Sequence, residues 1–195
     1  MSHTPLVDAR VWTLMLEVDR ELSAEARVRG CSCGGVLHSA RYRRKPRRGL
    51  PAELREEYGW RESLCCAQEG CRRRTTPASV RFLGRRVYLA ALVVLVSAMT
   101  GGVTERRASI MRALIGVSKR TLQRWRAWWL RMFPPTAFWK GERGRFMPAV
   151  DEARLPASLL ERFGEAAEGP RGEGLVACVR FLAPVTTRGG CAMAE

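Results

Sequence analysis

The 195-residue sequence predicts an α+β chain that is mostly helical, and three observations predict it. Cysteines gather in two short clusters, Cys31-Ser-Cys33-Gly-Gly and Cys65-Cys66-Ala-Gln-Glu-Gly-Cys71, among short strand-like runs. From Arg85 onward, apolar residues recur at helical spacing. The stretch Ala113-Leu-Ile-Gly-Val-Ser-Lys-Arg-Thr-Leu-Gln-Arg-Trp125 then joins two helices through a tight turn. The expected organisation is an N-terminal helix (1–30), a small zinc ribbon (31–84), a trihelical helix-turn-helix domain (85–133), and a linker with short C-terminal helices (134–195).

Thr4-Pro5 suits a helix start, with Thr as cap and Pro at the first helical position. Val11, Leu14, Met15, Val18 and Leu22 continue an amphipathic helix over 5–26, ending near Gly30. Val36–Tyr42, Trp60–Leu64 and Ser79–Leu83 read as short strands, and Arg43–Pro51 as a basic loop punctuated by Pro and Gly. Val87–Met99 is apolar nearly all round and predicts a buried helix, ended by Thr100-Gly-Gly. Glu105–Ile115 and Ser118–Phe133 are the next two helices, and Pro134-Pro135 stops the second. Residues 134–150 read as an aromatic and basic linker carrying Phe138-Trp139 and Phe146. Short helices are expected over 155–163 and 175–183, a loop over 168–174, and a frayed tail.

Composition narrows the function. At 46% hydrophobic content the chain supports one or two small cores, not a large enzyme with accessory domains. The net charge of +15 is unevenly placed: residues 31–150 carry 25 basic and 7 acidic side chains, the two ends 9 and 12. Codon bias accounts for Arg over Lys but not for this central concentration, which attracts polyanions. Residues 1–20 lack a basic start and a clean apolar core, so no secretory signal is expected. Val87–Met99 is too short to span a bilayer, which needs roughly 20 residues. Seven cysteines and no export signal point to a reducing cytoplasm rather than a disulfide scaffold.

A structural zinc ion needs four tetrahedral ligands, and two turns of two thiolates supply them. Gly34-Gly35 lets backbone amides turn toward the sulfurs at positive φ. The expected ligands are Cys31, Cys33, Cys66 and Cys71. Cys65 is the reserve, because adjacent side chains of a strand face opposite ways. His38 is a fifth candidate. Cys178 and Cys191 read as ordinary thiols.

Ser118 is a good N-cap for the third helix. At 100° per residue, Leu122, Trp125, Trp129 and Met132 share one inward face. The opposite face carries Arg120, Gln123, Arg124, Ala127 and Arg131. Arg and Gln match guanine and adenine edges bidentately in the major groove. Lys119 sits at the helix start, where phosphates are often held. The loop residues Arg43, Arg44, Lys45, Arg47 and Arg48 suit phosphate contacts. The plainer alternative is a solvated basic helix in a bundle.

From Cys66 to Trp129 the order resembles the N-terminal part of zinc-ribbon insertion-sequence transposases. The residues that carry this are Cys71-Arg-Arg-Arg-Thr-Thr-Pro, Arg81-Phe-Leu-Gly-Arg-Arg, an apolar helix, and Gly116-Val-Ser-Lys-Arg-Thr-Leu-Gln-Arg-Trp. The resemblance implies zinc on the cysteines and binding of transposon ends or an operator by Arg120, Gln123 and Arg124. It departs in its cysteine spacings. No catalytic domain of that family is expected in the residues after Val150, since its three carboxylates are spread over more than about a hundred residues.

The leading expectation is therefore a non-enzymatic, sequence-specific DNA-binding protein: a transposon-associated accessory factor or a truncated transposase. Its expected partners are double-stranded DNA, a separately encoded transposase or recombinase and a second copy of the chain, with no membrane, in the cytoplasm at the nucleoid. Two alternatives stand beside it. The Cys-x-Cys turn with a distant second pair also resembles the zinc centre of the redox-switched heat-shock chaperone. A zinc ribbon can also bind RNA.

Overall fold

The structure is a computed structural model, and it describes residues 9–44, 54–82, 89–99, 102–166 and 172–187. The predicted start at Thr4-Pro5, the loop residues Lys45, Arg47 and Arg48, the residues Leu83 and Val87, and Cys191 lie outside these.

Helix α1 (Ala9–Arg29) buries Val11, Trp12, Met15, Leu16 and Val18 along one stripe. It ends at Gly30, whose φ of +72° is a left-handed stop that other residues rarely adopt. Strands β1 (Leu37–Ser39), β2 (Tyr42–Arg43), β3 (Trp60–Arg61), β4 (Leu64–Cys66) and β5 (Arg74–Thr75) come next, with the one-turn helix α2 (Arg55–Tyr58) before β3. All pairings are antiparallel: β1-β4-β5 form one sheet and β2-β3 another. The expected strand Val36–Tyr42 is thus divided. The two ladders nonetheless keep one register, Leu37 opposite Cys66 and Tyr42 opposite Arg61. The Ala40 amide donates to the Ser63 carbonyl at 2.8 Å across the gap, so this is one long hairpin that bends.

The segment Ser79–Phe82 is not the expected strand. Its amides bond to side chains instead of to a neighbouring ladder: Val80 N–H to Asp19 Oδ1 at 2.7 Å and Ser79 N–H to Thr186 Oγ1 at 3.0 Å. Phe82 makes one isolated bridge to Leu89.

Helix α3 (Ala90–Ala98) is buried almost all round, as its composition requires. Helix α4 (Glu105–Ile115) opens on Thr104, whose hydroxyl accepts from the Arg107 amide, and closes on Gly116 at φ +65°. Helix α5 (Lys119–Ala127) opens on Ser118, which accepts from the Thr121 amide. It runs into a wider π turn over Trp128–Met132, closed by Phe133 N–H to Trp128 C=O at 2.8 Å. The wider turn shifts the helical phase of its residues. Trp128 turns inward, and Met132, expected inside, is 42% exposed.

Residues 134–150 hold helix α6 (Ala137–Glu142), and Trp139 is fully buried. Phe133, Phe138, Trp139, Phe146, Phe163 and Phe181 meet ring to ring, with centroids 5.1–6.4 Å apart. Offset and edge-on packing of this kind binds α7 (Ala157–Ala166) and α8 (Glu173–Leu182) to α6. One apolar cluster runs from Val11 of α1 to Val185 beyond α8. Cys31, Leu37, Leu64 and Cys66 form a second, smaller one. No helix among the described residues is long and apolar enough to cross a membrane.

Candidate metal centre and basic helical face

The bent hairpin and the turn after α1 bring four sulfurs together. Cys31, Cys33, Cys66 and Cys71 place their Sγ atoms within 4.8 Å of one another. Cys31 and Cys71 are 3.7 Å apart, and Cys33 and Cys66 are 3.5 Å apart, so the four are free thiols. Four thiolates at about 2.3 Å from a tetrahedral metal ion would stand about 3.8 Å from one another. The cluster is close to that geometry and could hold a metal ion.

Local backbone explains how. The backbone amide of Cys33 acts on the Cys31 sulfur, that of Gln68 on Cys66, and that of Arg73 on Cys71, each favouring the thiolate. Three of the four sulfurs thus feel the amide two residues on. Both turns then reverse through a positive φ just after their last cysteine, Gly34 at +82° and Arg72 at +43°. Gly35 has no room for a side chain: a Cβ there would lie 2.7 Å from the Cys66 sulfur and 3.3 Å from that of Cys33. The hairpin register decides between the adjacent cysteines. Cys66 faces inward opposite Leu37, while Cys65 lies opposite exposed His38 on the outer side. His38 therefore takes no place in the cluster, and the half-exposed Cys65 thiol donates to the carbonyls of Cys66 and Arg72.

The clustered thiols differ in how readily they ionise. The Cys33 amide pulls Cys31 down to about 6, against burial. Burial pushes Cys66 up to about 12, partly offset by the Gln68 amide. At Cys71 the Arg73 amide lowers the value, but the neighbouring thiols and burial outweigh it and the shift is upward. Without a cation one thiolate forms readily at the expense of the others, because like charges this close repel. A divalent ion bound among them would ease that conflict. Cys178 lies apart, in the helical core, where burial alone raises its thiol.

On α5, Leu122 and Trp125 are buried, as is Trp129 in the π turn. Arg120, Gln123, Arg124, Ala127 and Arg131 are exposed. Lys119 is paired with Glu105 of α4. Arg124 reaches back to the Thr121 hydroxyl at 3.4 Å. Arg43 stands in β2 rather than in a loop, and Arg44 is the next residue.

Local sequence pattern alone does not identify a buried ionic hub. Asp19 of α1 accepts from Arg81 Nε and Ser79 Oγ, both at 2.7 Å. Arg81 also donates to the Trp60 carbonyl at 2.9 Å and lies over the Tyr58 ring. Tyr58 in turn donates to the Trp12 carbonyl at 2.5 Å, and burial raises its phenol. Its one legible signal is an acid inside the apolar stripe of α1. No family model, curated protein or solved structure matches the chain.

Proposed function

We propose that the chain is a non-enzymatic, sequence-specific DNA-binding protein with a structural zinc ion on Cys31, Cys33, Cys66 and Cys71. In this reading the α4–Gly116–α5 unit is a helix-turn-helix, and α5 enters the major groove. The observation that carries it is the outer face of α5: Arg120, Gln123 and Arg124 stand exposed around small Ala127, while Leu122 and Trp125 anchor the helix in the core. Base edges are read by side chains held on a rigid element. Four thiolate ligands favour zinc among common cellular ions. The zinc-ribbon part then holds phosphates through Arg43 and Arg44, with Lys45, Arg47 and Arg48 beyond the described residues.

The biological role that fits is a transposon-associated accessory factor or truncated transposase at element ends or an operator, working beside a separate transposase or recombinase. Selection from random duplexes tests the reading. One enriched motif, protected by the purified protein, is expected, and its genomic positions distinguish element ends from promoters. Recovery of unenriched sequence would overturn it.

A further inference from the structure

Five of the six tryptophans, Trp12, Trp125, Trp128, Trp129 and Trp139, are no more than 8% exposed. Trp60 is the exception: it stands half-buried on β3. Across the β2-β3 ladder it is opposite Arg43, and Arg41 lies two residues before Arg43 on the same face. The guanidinium carbons of Arg41 and Arg43 lie 5.2 and 4.7 Å from the Trp60 ring centroid. Both arginines are themselves exposed. The strand leads directly into Arg44-Lys-Pro-Arg-Arg48, so six of the eight residues from Arg41 to Arg48 are basic.

We infer that this hairpin face is a stacking platform for unpaired nucleotides. With the two guanidinium groups lying over the indole, the face offers stacked planar groups and two phosphate-binding forks within a nucleotide's reach. A base can stack on the arginine planes or displace one of these exposed side chains from the ring. Unstacked bases bind to such aromatic and arginine planes with little regard to sequence, while the positive charge holds the backbone. In a duplex the base faces are already stacked, so the platform favours a strand that is open. One group opposes it: Glu56 Oε1 lies 3.5 Å from Arg43 and competes for its guanidinium. The inference rests on the nucleic-acid reading of the chain but concerns a different ligand state, unpaired rather than duplex, and a different element, β2-β3 rather than α5.

The test measures binding of the zinc-loaded full chain to oligo-dT, oligo-U and a random duplex by fluorescence anisotropy. Trp60→Leu is expected to weaken oligo-dT binding roughly tenfold or more, as for loss of one stacked base, and to change duplex affinity less than twofold. The pair Arg41→Gln with Arg43→Gln should weaken oligo-dT binding by more than it weakens duplex binding, to which Arg43 contributes one phosphate contact among several. Trp60→Phe should retain most of the binding. Glu56→Gln, an exposed change that leaves the fold alone, should tighten it. Oligo-U tells whether an RNA strand is taken equally. Duplex binding with no measurable oligo-dT or oligo-U binding overturns the platform and leaves the duplex reading standing. Single-strand binding that is insensitive to all four variants also overturns it. Trp60-dependent single-strand binding without duplex binding upholds the platform and removes the duplex reading. Binding of neither removes both.

Discussion

Asp19 and Arg81 meet at 2.7 Å with the two side chains 1% and 3% exposed, and that contact ties the first helix to the segment leaving the cysteine-bearing hairpin. Both Asp19 oxygens are occupied, by Arg81, Ser79 and Val80. Removing one partner leaves a buried charge without compensation, which costs about 3–5 kcal/mol. Asp19→Ala should therefore lower the midpoint of urea unfolding sharply. The double change Asp19→Ala with Arg81→Met should recover part of the loss. Equal stability of Asp19→Ala and the parent would show that water replaces the ion pair.

The sulfur cluster predicts one metal ion per chain. Cys66→Ser or Cys71→Ser should abolish stoichiometric metal in elemental analysis and unfold the segment around β1 and β4. Gly35→Ala should weaken metal binding with every ligand still present, because its Cβ would press on two sulfurs. Full metal retention by Gly35→Ala would mean the turn relaxes freely.

Metal affinity should fall with falling pH, because protons compete for the same sulfurs. The sign comes from Cys66, whose metal-free value lies near 12: at neutral pH binding must displace its proton, so each step downward makes release harder. Proton release on titration with the metal, read by calorimetry in two buffers, checks this. No proton release would indicate thiolates already formed.

Duplex binding should be mostly electrostatic, with each phosphate contact steepening the dependence of log K on log salt by about 0.9. Affinity that is flat between low and physiological salt would remove the basic surface as a nucleic-acid footprint.

Reading and holding should separate by mutation. Gln123→Ala or Arg124→Ala should cost roughly 1–3 kcal/mol on the preferred duplex and little on others. Neutralising Arg43, Arg44, Lys45, Arg47 and Arg48 together should weaken all duplexes about equally and flatten the salt slope. A helix variant that selects the parental site unchanged would leave α5 as scaffold.

Local signals make much of the fold legible in the sequence. Thr104, Gly116 and Ser118 are capping residues whose effect reaches only one turn, so α4 runs over the expected Glu105–Ile115. The choice of Cys66 over Cys65 needs the partner strand, because period two gives alternation but not which face is inside. Met132 is illegible because one widened turn resets the phase of a helix. Trp139 and Phe146 are illegible because an aromatic pair in a Pro- and Gly-rich stretch looks the same exposed or clustered. Asp19 lies sixty residues from the groups that satisfy it, beyond any local pattern.

The unbroken register of the bent hairpin makes its two ends interdependent. Alternation along β1 and β2 sets which way Leu37 and Arg43 point, and the same count along β3 and β4 sets Trp60 and Cys66. Deleting one residue between Ser39 and Tyr42 would leave the sulfurs in place but turn Arg43 to the opposite face, away from Trp60. A two-residue deletion would restore the facing while shifting the pairing along the strand. The hairpin therefore tolerates changes of composition at its bend far better than changes of parity, and an odd-length insertion there should separate metal binding from whatever the distal arginines hold.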